Sequence, residues 1–140
     1  MRQRILLDTG PLVALLDKSD RWHQWTKEQW QRMEPPLLTC EPVITESCFL
    51  LRRIHGGRDA VFALLAKQVI QMRFELDNEK DAVRRLLSRY ESVPMSLADG
   101  CLVRMAEQYP GSRTLTFDSD FGIYRKNRNQ IIDVLSPFKT

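Results

Sequence analysis

Two aspartates, Asp118 and Asp120, fall within three positions of RTLTFDSDFG, directly after a run that reads as a buried strand. A turn or a helix cap accounts for one of them. A pair at the mouth of a strand also suits a cation site, provided other acids reach the same place. Asp8 ends the apolar run RILLD, Glu46 lies early in EPVITESCFLLRRIHGG, and Asp99 lies early in MSLADGCLVRMAEQYPG. Asp99 and Glu46 each have a structural alternative. Asp99, three residues after Ser96, suits a capping box, and Glu46, four after Pro42, suits the positive end of a helix dipole. Their apolar neighbours argue for more, because an unpaired buried carboxylate costs several kcal/mol or takes up a proton. A hard divalent cation removes that cost and prefers oxygen ligands, so carboxylates without histidine or cysteine point to magnesium or manganese, not zinc. Asp8, Glu46, Asp99 and Asp118 form the candidate catalytic and metal set, with Asp120 as a fifth metal-site acid. Thr9 and Thr116 are accessory hydroxyls that orient Asp8, Asp118 or water, or are simply a turn residue and a strand residue. Asp17, Asp20, Asp59, Asp77 and Asp81 read as caps or polar-face residues.

These acids are far apart in the chain, so the fold must bring them together. Short apolar runs alternate with longer amphipathic ones, as in βα units. Strands are expected at RILLD, PLLTC, VIQMRFEL, RTLTF and QIIDVLSPF. Helices are expected over GPLVALLDKSD with Pro11 at its first position, and over SDRWHQWTKEQWQRM capped by Ser19 or Asp20. EPVITESCFLLRRIHGG is expected to end at Gly56-Gly57 and RDAVFALLAKQ to follow it. DNEKDAVRRLLSRYES is read with Asp77 or Asn78 as cap, and MSLADGCLVRMAEQYPG with Ser96 as cap. The reading is α/β: a three-layer α/β/α sandwich around a mostly parallel five-stranded sheet. Ligands of such sheets collect at the carboxyl ends of the strands, where Asp8 and Asp118 both fall.

The 140 residues suit one domain, 1–140, and no apolar stretch is long enough to span a bilayer. The opening MRQRILLDTG lacks the apolar region of a secretory signal, so a cytoplasmic protein without membrane association is expected. Cys40, Cys48 and Cys101 show no CxxC pair and read as core residues, and the isolated His23 and His55 read as structural. The net charge of +3 is mild, but basic residues cluster at Arg52 and Arg53, at Arg84 and Arg85, and at Arg125, Lys126 and Arg128. These are the candidate phosphate contacts, with solvated helix faces as the alternative. Trp22, Trp25 and Trp30, with Met33, share one broad helical face. It is read as core, or, where partly exposed, as a groove for a protein partner.

Other aspartate-bearing α/β folds fail on particular residues. Gly10 stands where a haloacid-dehalogenase-like phosphatase needs a second aspartate, no acid neighbours Asp8 as a receiver domain requires, and no P-loop is present. In order along the chain, ILLDTGPLVALLD, TCEPVITESCFLL, MSLADGCLVRMAE and LTFDSDF resemble the four motifs of the PIN-domain ribonucleases, in particular the VapC-type toxins of toxin–antitoxin pairs. The likeness places Glu46, Asp99 and Asp118 at the family's acidic positions, with Asp120 as an accessory. It implies a five-stranded parallel sheet, homodimers, an antitoxin partner, and cleavage of single-stranded RNA with magnesium or manganese. The tryptophans match no motif of that family. The competing readings are a non-catalytic PIN-like domain that binds RNA or protein, a PIN nuclease of general RNA processing, and a flap-type DNA nuclease, for whose arch or clamp the chain has no room.

Overall fold

The computed structural model describes residues 3–138, so the outermost residues of the expected 1–140 domain lie outside it. Strand β1 (Ile5–Leu7) leads into α1 (Thr9–Leu16) and α2 (His23–Arg32). Strand β2 (Leu37–Thr39) is followed by α3 (Glu41–Leu50) and α4 (Gly57–Ala66), and β3 (Ile70–Met72) by α5 (Leu76–Arg89) and α6 (Leu97–Gln108). Then come β4 (Arg113–Leu115), a 3₁₀ turn at Ser119–Gly122, and the short strands β5 (Arg125–Lys126), β6 (Gln130–Ile131) and β7 (Val134–Leu135).

The main sheet has the order β3-β2-β1-β4-β7, and every pair in it is parallel. Leu6, Leu7, Leu37 and Leu38 are all sealed from solvent, on both faces of their strands. Strands buried on both sides require a helical layer on each, which is the three-layer architecture. The chain moves outward from β1 through β2 to β3, then returns to the other side of β1 for β4. A crevice opens at that reversal, beyond the carboxyl ends of β1 and β4.

Several local expectations change. QIIDVLSPF is not one strand: Gln130–Ile131 pairs antiparallel with Arg125–Lys126, and only Val134–Leu135 joins the main sheet. Between them Ile132 turns into the core while Asp133 meets Arg113 at 3.5 Å. VIQMRFEL contributes only Ile70–Met72 as strand. Helix α3 stops at Leu50, well before the glycines, and Gly56 instead precedes α4 with a left-handed φ of 70°, a conformation that glycine adopts without steric cost. Trp22, not Ser19 or Asp20, occupies the N-cap position of α2, and the Asp20 carboxylate accepts the Trp22 N–H at 2.8 Å. Helix α5 starts at Leu76 with Glu75 at its N-cap position and no side-chain cap bond, so neither Asp77 nor Asn78 caps it. Pro11 is the third residue of α1, because Asp8 is the cap and Thr9 opens the helix. Ser96 caps α6 as read, accepting the Asp99 N–H at 3.0 Å, and Pro42 lies in the first turn of α3.

Cys40 and Cys101 are buried free thiols that meet in the core, and this contact pushes the Cys40 thiol pKa up. Cys48 is half-buried. Trp25, Trp30 and Met33 pack against the core, in line with the core reading of that stripe. His23 holds the Ala14 carbonyl at 2.7 Å, a structural role. Among the described residues no helix is long and apolar enough to cross a membrane.

Candidate active site

A cavity of about 490 Å³ opens at the strand reversal, lined by Asp8, Glu46, Asp99, Asp118 and Asp120 together with Thr9, Gly10, Ser96 and Phe117. Four separate parts of the fold deliver these carboxylates. Asp8 caps α1 directly after β1, Glu46 projects from α3, Asp99 from the first turn of α6, and Asp118 and Asp120 from the turn after β4. The in-register pairing of β1 with β4, Leu7 opposite Leu115, puts Asp8 and Asp118 on the same rim. Among the described residues no lysine or arginine lines the cavity.

Hydroxyls and amides hold Asp8, Glu46, Asp99 and Asp118. Asp8 is buried; its Oδ1 accepts the Thr9 N–H at 2.7 Å and its Oδ2 accepts the Thr116 hydroxyl at 2.6 Å. Thr116 Oγ1 in turn accepts the Asp118 N–H at 3.0 Å, so one buried hydroxyl joins two of the acids. Asp118 Oδ1 accepts the Asp120 N–H at 2.9 Å. The Thr9 hydroxyl reaches exposed Glu46 at 3.4 Å. The Tyr124 hydroxyl donates to Asp99 Oδ2 at 2.9 Å, and its ring is completely buried between Tyr90 and Phe121.

Burial raises the Asp8 pKa to about 6, against the lowering effect of its bonds from Thr116 and Thr9; the charges of Asp99 and Asp118 add to the rise. Asp99 is raised as well, chiefly by burial, with Tyr124 opposing and the Asp118 charge reinforcing. Burial, followed by the bond to Asp99, pushes the Tyr124 phenol up, so it remains a proton donor. Excess negative charge with oxygen donors only is the chemistry of a hard divalent cation site. The cage is not closed, however: among the described residues no three His, Cys, Asp or Glu side chains stand at metal-ligating spacing. The hydrogen bonds from Thr116, Thr9 and Tyr124 occupy oxygens that a cation would otherwise draw inward. In donor type the residues fit such an ion, and in spacing they form an acid-lined cavity.

The sequence reading missed Tyr124 and Phe117. Tyr124 meets Asp99 across 25 positions, and no short motif marks such a partner. Phe117 lies inside the quoted LTFDSDF and was passed over as a strand residue. It closes over Gly10, where a Cβ would stand 2.9 Å from Phe117 Cδ2, and it is braced by Trp22 and Trp25 at ring separations of 6.3 and 6.0 Å.

None of the candidate basic residues lines the cavity. Arg52 stacks on Phe49 at 4.0 Å and donates to its carbonyl, while Arg53 and Arg84 are exposed on α3's trailing turn and on α5. Arg125 Nη1 caps the 3₁₀ turn through the carbonyls of Gly122, Ile123 and Tyr124, and Lys126 is half-buried. Arg85 and Arg128 line a second cleft, with Arg89 and Arg104.

The fold has relatives. The structure is similar to the crystal structure of VapC20 from Mycobacterium tuberculosis, described as a sarcin–ricin loop cleaving toxin, with a TM-score of 0.75 and 24% identity over 85% of this chain and 93% of that one. No curated protein matches the sequence significantly. The PIN-domain family model matches residues 5–127, from the first residue of β1 to the hairpin beyond Tyr124, and takes in all five acids of the cavity. By that match, the chain belongs to the PIN-domain family.

Proposed function

We propose that the protein is a metal-dependent endoribonuclease, the toxin of a toxin–antitoxin pair, that hydrolyses RNA phosphodiester bonds with magnesium or manganese. One observation carries this reading: five carboxylates from four parts of the fold line a single cavity that, among the described residues, has no basic side chain in its lining. Membership of the PIN family and the likeness to VapC20 support it. Asp8, Glu46, Asp99 and Asp118 are the cation-holding acids, with Asp120 beside them. A bound cation would supply an acidified water near neutral pH and offset charge on the phosphoryl oxygens. In-line attack of a water on phosphorus would break the P–O3′ bond, with O3′ leaving as the protonated hydroxyl, and so give a 5′-phosphate and a 3′-hydroxyl. Thr116 and Thr9 orient Asp8, and Tyr124 orients Asp99. Phe117 forms part of the cavity wall beside Gly10.

For protein partners, an antitoxin and a second copy of the chain, the relevant surface is an apolar groove of about 980 Å³ that shares Glu46 with the cavity. Exposed Phe49, Leu50 and Leu97 lie in or beside it.

The open spacing of the acids favours a second reading, a PIN-like domain that binds RNA without cutting it. Cleavage of single-stranded RNA, structured RNA and DNA, titrated with magnesium and manganese, separates the two. The expected result is metal-dependent RNA cleavage that Asp8→Asn and Asp99→Asn both abolish. Cleavage at the wild-type rate by both variants would refute the carboxylate site, and RNA binding without cleavage at any metal concentration would favour the second reading.

A further inference from the structure

The second cleft lies between α5, α6 and the β5–β6 hairpin, holds about 280 Å³, and is lined by Arg85, Arg89, Arg104 and Arg128, with Glu107 as its only acid among the described residues. Glu107 is already engaged: Oε1 pairs with Arg104 at 3.1 Å and Oε2 accepts the Asn127 N–H at 2.6 Å. Arg104 is neutralised on its other side by Glu79 at 2.7 Å. Arg85, Arg89 and Arg128 are exposed, and no carboxylate lies within salt-bridge distance of any of them among the described residues. Arg85 and Arg89 are four residues apart on one helix, so their stems share a face. Arg128 reaches the cleft from a turn in which Asn127 and Arg128 both have left-handed backbones, φ 48° and 75°, uncommon for residues other than glycine. The Asn127 bonds to Glu107 and to Gln130 hold that turn in place. Three unpaired guanidinium groups therefore converge on a preformed concavity.

We propose that Arg85, Arg89 and Arg128 form a phosphate-binding exosite that grips the RNA strand away from the bond to be cut. The proposal rests on the RNA reading above. It is favoured over an acidic protein segment by the cleft's position. Along α6, Glu107 lies about 12 Å from Asp99 at the helical rise of ~1.5 Å per residue. The hairpin carrying Arg128 begins at the residue after Tyr124, which is bonded to Asp99. A single polyanionic strand reaches both places, with its scissile phosphate among the acids and a neighbouring phosphate among the arginines. The planar guanidinium fork suits a phosphodiester.

The test is binding of a fluorescein-labelled 20-nucleotide single-stranded RNA to the full chain in EDTA, measured by anisotropy across a salt series. Without metal there is no cleavage, so the result stands or falls separately from hydrolysis. The Arg85→Gln/Arg89→Gln/Arg128→Gln variant is expected to bind at least tenfold more weakly in low salt. Its slope of log affinity against log salt should be shallower by roughly 2, the loss of about three phosphate contacts at ~0.7 each. The matching triple lysine variant should keep most of the slope. In wild-type protein the Nε–Hε resonances of these three arginines should shift on adding the RNA, a readout that does not depend on any variant folding. Unchanged affinity and slope in the glutamine variant, or arginine resonances that stay still while others move, would overturn the exosite. So would a glutamine variant that keeps its RNA affinity but loses binding of a polyglutamate peptide, since the cleft would then serve an acidic polypeptide.

Discussion

The Thr116 hydroxyl donates to Asp8 across 2.6 Å and accepts from the Asp118 backbone at 3.0 Å, so one oxygen fixes two acids that are remote in the chain. Thr116→Val keeps the shape and removes both bonds. It leaves a buried carboxylate oxygen and an amide without partners, at a cost of about 1–3 kcal/mol. Denaturant unfolding should show that loss, and Thr116→Ser should recover most of it. Equal stability of the valine and wild-type proteins would show that the bonds contribute nothing.

Tyr124→Phe removes only the hydroxyl that holds Asp99. Loss of a residue that orients a metal-holding acid typically costs roughly tenfold to hundredfold in metal affinity or activity. The expected outcome is a higher magnesium requirement for cleavage, with little change in RNA affinity measured in EDTA. A purely structural tyrosine would instead lower stability and leave the metal requirement as it was.

Asp8 titrates near pH 6 in the folded protein, above its ordinary value of 3.8. The native state therefore favours the protonated form. That stability is fully present below about pH 4 and is lost as pH rises through 6, by an amount on the order of 3 kcal/mol. Asp99, raised in the same direction, adds to the loss. In EDTA, Asp8→Asn should match the wild type near pH 4 and exceed it in thermal midpoint above pH 6. Millimolar magnesium or manganese should narrow that gap by binding the ionised native state. A gap that does not change with pH would contradict the raised titration.

Gly10→Ala would drive a methyl into the Phe117 ring, which Trp22 and Trp25 prevent from swinging away. Overpacking of this kind costs about 1–3 kcal/mol. A shift in tryptophan emission should accompany the destabilisation. Pairing it with Phe117→Leu, which frees the space, should restore both.

Asp8, Asp99 and Asp118 were legible because each follows a strand or opens a helix within a short readable pattern, and a parallel sheet sends such points to one rim; Glu46 lies mid-way along α3 and was legible only through its apolar neighbours. Ser96 was legible for the same local reason. Tyr124 was not, since its meaning lies in a contact with a residue 25 positions earlier. The caps of α2 and α5 were misplaced because Ser19, Asp20, Asp77 and Asn78 all have suitable side chains, and tertiary packing decided where each helix begins. QIIDVLSPF read as one strand because periodicity does not reveal that its two halves pair with different partners. The Arg85–Arg89–Arg128 cleft was seen only as separate basic clusters, because α5 and the hairpin meet through folding alone.

Strand β1 is the middle strand of the sheet, and its neighbour β4 follows more than a hundred residues later. Sheets closed by such distant partners assemble late. A nascent chain halted before Leu115 carries Asp8, Glu46 and Asp99 but lacks Thr116 and Asp118, which hold Asp8 and complete the acid set. Whatever hydrolysis the acids perform thus comes into being only after β4 is made, and no truncated product ending short of β4 inherits it.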